Sequence, residues 1–151
     1  MKKVLQNFFL SIQYRKYLKL LSQRKIYHAT IIRSVGILLG PDMEIDTNFI
    51  NKVAAELGVP LRNVYVMSQS TNVQEYQKEK IKRFFYNQKL LTWTGYFSDQ
   101  EIQFCEKALD VLINYFEDTN KLLGLISVKS KAKFRIGFAQ VDHRLNDLVF
   151  D

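Results

Sequence analysis

From residue 34 onward, short apolar runs alternate with segments whose apolar residues recur at helical spacing. The run 34–39 is almost continuously apolar and stops at Gly40 and Pro41, which is typical of a strand buried on both faces of a parallel sheet. Similar runs predict strands at 63–68, 90–94, 110–114, 134–138 and 148–150. The chain therefore offers five or six strands.

Helices are predicted between these strands. Asp46 or Thr47 can cap a helix that ends at Gly58, and the spacing of Ser98 and Glu101 is that of a capping box. Apolar positions at helical intervals predict two further helices, at 71–87 and at 122–128. Strands that alternate with helices predict an α/β fold, a three-layer, doubly wound and mostly parallel sheet in a single domain over 31–151.

A basic helical arm, residues 1–30, precedes this domain. At about 100° per residue, one face of the helix collects apolar side chains from its first half, and nearly the opposite face collects those from its second half. The first stripe comprises Leu5, Phe8, Phe9 and Ile12, and the second comprises Tyr14, Tyr17, Leu18 and Leu21. A break in the helix, or two different burial partners, would explain the change of side.

Charge is concentrated in the same segment. Residues 1–33 contain eight basic residues and no acidic one: Lys2, Lys3, Arg15, Lys16, Lys19, Arg24, Lys25 and Arg33. The other 14 basic residues face all 15 acidic ones, so the net charge of +7 belongs to the leading segment and the rest is nearly balanced. Such asymmetry indicates a polyanionic partner, or a solvated helix that keeps the protein soluble.

We expect a non-enzymatic binding protein whose arm contacts RNA or a ribonucleoprotein such as the ribosome. Basic and aromatic residues interleave there, as in proteins that bind phosphates and stack on unpaired bases. The predicted contacts are Arg15, Lys16, Lys19, Arg24 and Lys25, with Tyr14, Tyr17 and Tyr27. The alternatives are a peripheral protein on an anionic membrane, with Phe8, Phe9 and Ile12 as an interfacial wedge, and a small enzyme.

Motifs for catalysis or cofactors are missing from the sequence. It has no glycine-rich phosphate loop and no Ser/His/Asp arrangement, so we expect no catalytic residue and no cofactor. Asp42, Glu44 and Asp46 follow the first strand at alternate positions, but Asp46 already serves as a helix cap, and we expect no metal. The neighbours of the single Cys105 predict an inert thiol at a half-buried helix position. The absence of a transmembrane run favours a protein of the cytoplasm or the periphery of the inner membrane.

Several motifs resemble a small uncharacterised bacterial family. Ser34-Val35-Gly36-Ile37-Leu38 is similar to its early strand, Asp110-Val111-Leu112-Ile113-Asn114 to a central one, and the segments 130–137 and 146–151 to its closing elements. The resemblance covers nearly the whole chain and implies a fold and boundaries but no catalytic residue. A weaker similarity links 110–138 to the N-terminal half of heptosyltransferases, which implies a half-enzyme acting as a binding module.

Overall fold

The computed structural model describes residues 2–24, 31–41, 43, 45–69, 80–87, 97–117 and 120–150. Its helices are α1 (Lys2–Ser22), α2 (Thr47–Leu57), α3 (Asp99–Cys105) and α4 (Lys121–Lys129), with one 3-10 turn at Leu61–Asn63. Its strands are β1 (Val35–Leu39), β2 (Val64–Gln69), β3 (Lys82–Tyr86), β4 (Val111–Tyr115), β5 (Phe134–Phe138) and β6 (Leu148–Phe150).

The six strands form one all-parallel sheet in the order β3-β2-β1-β4-β5-β6. Strand β1 lies at the centre and is buried at every position, as its continuous apolar run predicts. The connections reverse direction between β1 and β4, which is the arrangement of Rossmann-like sheets. The prediction of an α/β fold with a doubly wound, mostly parallel sheet is confirmed.

The two faces of the sheet carry separate cores. On one face, Val35, Ile37 and Val66 pack with Ile50 and Ala54 of α2. On the other face, the core contains residues of α1, α3 and α4, among them Leu18, Phe104 and Leu123. Along β1, β2 and β4, side chains alternate between these cores, so the sheet is the middle of three layers.

Capping residues in the sequence predicted most of the helix ends correctly. The Asp46 carboxylate accepts a hydrogen bond from the amide of Phe49 at 2.7 Å, and Gly58 ends α2 with a left-handed φ of 66°. Ser98 and Glu101 form the predicted capping box at the start of α3. Asn120 caps α4 through the amide of Leu123.

The prediction of a helix over 71–87 is wrong in its last part. Residues 82–86 form β3, which pairs with β2 at the edge of the sheet. Ile81, Phe84 and Phe85 have helical spacing, but Phe84 and Tyr86 alternate into the core beside α3 and α4, and pairing with β2 favours the extended form. Residues 70–79 and the strand predicted at 90–94 lie outside the described residues.

Candidate functional site

Helix α1 packs along α4 through one face, which we call its inner face. Leu10 and Leu18 are buried in the core, and Tyr14, Tyr17 and Leu21 pack against it. The Tyr14 hydroxyl donates a hydrogen bond to Asp142 Oδ2 at 3.0 Å. The second apolar stripe of the arm is therefore the one that meets the domain.

Gly124 of α4 makes the close approach possible. A Cβ at that position would lie 3.2 Å from the Tyr14 ring, tighter than an ordinary van der Waals contact. Further along the pair, the Lys129 ammonium lies 5.2 Å from the centre of the Tyr17 ring and 4.4 Å from that of Phe97. Tyr14 and Tyr17 are thus engaged in packing on α4 and are only partly exposed.

The register between the two helices fixes where each half of α1 lies. Lys121, the first residue of α4, donates to Ser11 Oγ at 3.2 Å, and Arg24 reaches residues 133 and 147 near the starts of β5 and β6. Helix α1 therefore runs parallel to α4, from the ends of the strands towards their beginnings. Because Ser11 lies beside the first residue of α4, the nine residues 2–10 extend beyond the start of α4, over about 13 Å of helix.

The solvent side of α1, its outer face, begins with apolar residues. Of the five side chains described before residue 11, only Leu10 is buried. Phe8 is 59% exposed, and the exposed apolar side chains along this half are Val4, Leu5, Phe8, Phe9 and Ile12. All of them except Val4 form the first stripe of the sequence, and none belongs to a core of the described fold. No helix among the described residues is long and apolar enough to span a bilayer.

Cations follow on the outer face of the second half of α1. Arg15, Lys16 and Lys19 are exposed, and no carboxylate among the described residues forms an ion pair with them. Their positions place them on the same side as Phe8 and Ile12. The outer face thus has an apolar half and a basic half in succession along one helix.

Arg24 is in a different situation from these three cations. Its guanidinium is 2.5 Å from Asp147 Oδ2 and also donates to the Lys133 carbonyl oxygen. Asp147 thus neutralises the charge of Arg24, and the two contacts hold the end of α1 beside the starts of β5 and β6. The other predicted contacts, Lys25 and Tyr27, lie outside the described residues.

A shallow pocket of about 550 Å³ opens at the carboxyl ends of the strands. Its lining consists of Ile45, Asp46, Phe49, Tyr115 and Phe138. Asp46 is engaged as the cap of α2, while Asp42 and Glu44 lie outside the described residues. Within the described part of the chain, no group of three or more histidine, cysteine or acidic side chains is arranged to hold a metal ion.

Arg135 on β5 is a cation whose burial the sequence does not indicate. Its side chain is almost fully enclosed and donates to the carbonyl oxygens of Ser127, Ser130 and Ala132 at 2.7–3.1 Å. Burial lowers its pKa to about 10, so it stays charged at neutral pH. It therefore satisfies the carboxyl end of α4, whose partial negative charge favours a cation.

Cys105 is a buried thiol at the end of α3. Burial raises the pKa of its thiol to about 12, and Sγ lies 3.5 Å from the Ile126 carbonyl oxygen. The sequence predicts a half-buried helix position for this thiol, and the structure buries it further, at 5% exposure.

The fold and this surface define an α/β protein of Rossmann-like strand order, with a packed first helix whose outer face is apolar and then basic. The chain belongs to a family of unknown function, DUF6913, whose model matches residues 6–151. No curated protein and no solved structure matches the chain. The resemblance to an uncharacterised family is thus confirmed, whereas the similarity to heptosyltransferases stays a prediction.

Proposed function

We propose that the protein binds anionic membrane surfaces through the outer face of α1. The observation that carries the proposal is the exposure of Phe8, Phe9 and Ile12 on the same side of the helix as Arg15 and Lys16. Apolar side chains of this kind insert at the boundary between headgroups and acyl chains, and neighbouring cations bind anionic headgroups.

Charge decides between a membrane and a second copy of this chain as the partner. An exposed apolar stripe could pair with its own copy, but residues 1–33 contain no acidic residue. Two such helices in contact would bring unpaired cations together without compensation. An anionic surface offers the opposite sign beside an apolar interior, and so it fits both halves of the outer face.

Sedimentation with lipid vesicles tests this proposal. The double variant Phe8→Gln/Ile12→Gln should bind vesicles of mixed phosphatidylglycerol and phosphatidylcholine at least about tenfold more weakly, because it loses the apolar insertion. The matched control is Ile102→Gln, which removes an exposed apolar side chain from α3 and should leave binding unchanged. Equal binding by the double variant and the wild type would overturn the proposal.

The basic half of the outer face has its own test. Replacing Arg15, Lys16 and Lys19 with glutamine should weaken binding to anionic vesicles by about 1 kcal/mol per residue near the surface. Added salt should weaken wild-type binding in the same direction. Vesicles of phosphatidylcholine alone should bind the variant and the wild type equally, and a difference there would contradict the electrostatic role.

RNA binding by the same face is a second candidate, and the absence of carboxylate partners for Arg15, Lys16 and Lys19 among the described residues favours it. Because Tyr14 and Tyr17 pack on α4, this version uses phosphate contacts only. The variants separate the two functions. RNA binding would survive Phe8→Gln/Ile12→Gln and disappear with the three cations, whereas membrane binding needs both halves.

A further inference from the structure

The edge of the sheet where the strands begin, which we call the amino edge, carries more positive charge than the sequence total suggests. The residues after position 33 are nearly balanced in charge, but the fold gathers four of their cations beside Arg33 at this edge. Exposed or half-exposed cations occupy the starts of β1, β2 and β3 and the turn before β4: Arg33, Arg62, Lys80, Lys82 and Lys107.

The carboxylates that the structure describes on this edge are already engaged, with one exception. Asp110 is buried and 2.7 Å from the Lys133 ammonium, and it accepts a further hydrogen bond from the backbone amide of Arg33. Burial opposes ionisation of Asp110, but these hydrogen bonds hold its pKa below the ordinary value. Glu106 pairs with Lys131, and Asp147 pairs with Arg24.

Glu56 is the exception, on the last turn of α2. It is exposed and forms no ion pair with a described residue. One free carboxylate thus stands against the five cations of the amino edge. The described part of the edge keeps a net charge of about +4 after its pairs are removed, which is enough to attract a polyanion.

An aromatic side chain lies among these cations. The ammonium groups of Lys82 and Lys107 are each 5.5 Å from the centre of the Tyr65 ring, and Lys107 is 5.9 Å from that of Phe84. Tyr65 is only partly buried. No described carboxylate pairs with either ammonium group. A phosphate bound between Lys82 and Lys107 would compensate both charges through charge-assisted hydrogen bonds.

We infer that the amino edge is a docking surface for single-stranded nucleic acid, with Arg33, Arg62 and Lys82 on the phosphates and Tyr65 beside a base. Grooves that bind single strands combine cations that follow the backbone with an aromatic ring that contacts bases. The apolar side chains that would insert into a bilayer lie at the opposite end of the strands, on the first half of α1. The amino edge therefore fits a soluble polyanion better than a second membrane contact.

Fluorescence anisotropy with a labelled twelve-nucleotide oligouridylate tests this inference. The triple variant Arg33→Gln/Arg62→Gln/Lys82→Gln should bind at least about tenfold more weakly than the wild type at low salt. The slope of log K against log salt should also fall by about 2, since each lost single-strand phosphate contact removes about 0.7. Far-UV circular dichroism should show the same fold, because all three side chains are exposed or at the surface of the edge.

The matched control removes the same charge from the outer face of α1, by Arg15→Gln/Lys16→Gln/Lys19→Gln, and should keep oligouridylate affinity within about threefold. Conversely, the amino-edge variant should sediment with anionic vesicles like the wild type. An amino-edge variant that binds as well as the wild type would overturn the inference, as would a wild type that does not bind. A loss confined to the α1 variant would place the contact on α1, and an equal loss in both variants would show attraction by net charge alone; either result would overturn the inference. Tighter binding of a duplex would refute the single-strand assignment.

Discussion

The two faces of α1 differ in what they contact, although they belong to one helix. The inner face supplies Leu10 and Leu18 to the core and a hydroxyl to Asp142. The outer face leaves Phe8 59% and Ile12 49% exposed, and neither side chain belongs to a core of the described fold. Substitutions on the inner face should therefore change stability, and substitutions on the outer face should change only binding.

Arg135→Met should have the largest effect, because Arg135 supports the helix on which the inner face rests. The variant leaves the carbonyl oxygens of Ser127, Ser130 and Ala132 without their buried donor, and we expect a loss of about 3 kcal/mol or more. Urea denaturation measures it. Arg135→Lys keeps the charge but not the full set of donors, so its free energy of unfolding should lie between those of the wild type and of Arg135→Met. A loss below 1 kcal/mol for Arg135→Met would contradict the role.

Leu18→Ala and Leu20→Ala compare the faces directly, with one residue type at positions two apart. Leu18 is 6% exposed and Leu20 is 53% exposed. Truncating the buried leucine should cost about 2–4 kcal/mol, and truncating the exposed one less than about 0.5 kcal/mol. Equal losses in urea denaturation would show that the two faces are not distinct.

Tyr14→Phe removes only the hydroxyl that joins the inner face to Asp142, and should cost about 1 kcal/mol at neutral pH. Hydrogen bonds from Arg144, and then from Tyr14, hold the pKa of Asp142 below its ordinary value of 3.8. A depressed pKa gives stability that is complete above the ordinary value and is lost as the pH falls through the depressed one.

The variant depresses this pKa less, so its deficit should be full at pH 6 and shrink below about pH 4. Urea denaturation at a series of pH values measures the difference. A deficit that is the same at pH 3 and pH 6 would show that the hydroxyl does not act through the ionised Asp142.

Ile12→Gln should have the smallest effect on stability, within about 0.5 kcal/mol, since its side chain is exposed. The same variant should bind anionic vesicles more weakly. A stability loss above 1 kcal/mol, measured by urea denaturation, would mean that the outer face also contributes to the fold.

Most elements could be predicted because their signals are local. The apolar run of β1, the capping box of Ser98 and the Asp46 cap each lie within a few residues of sequence. The exception was β3, where Phe84 and Tyr86 are extended because they pair with β2 and pack beside α3. Neither contact is visible in the spacing of the segment itself.

The candidate site was predictable in part, for the same reason. The two stripes of α1 follow from helical periodicity, and Arg15, Lys16 and Lys19 lie exposed on its outer face. The pairing of Arg24 with Asp147 joins residues that are 123 positions apart. The carbonyl oxygens that enclose Arg135 lie only three to eight residues before it, but they surround its guanidinium only once the end of α4 packs beside β5. The amino edge needs the strand order, which brings Arg33, Arg62 and Lys82 together and which the sequence pattern does not specify.

The pairing of α1 with α4 has a consequence for biosynthesis. Ser11 and its partner Lys121 are separated by 110 positions, so the ribosome makes α1 long before the helix that covers its inner face. At a translation rate of about 5–20 residues per second, both apolar stripes of the nascent α1 remain uncovered for roughly 5–20 seconds before α4 is synthesised. During that interval it is an amphipathic segment that chaperones, or a bilayer close to the translating ribosome, can capture before the domain closes.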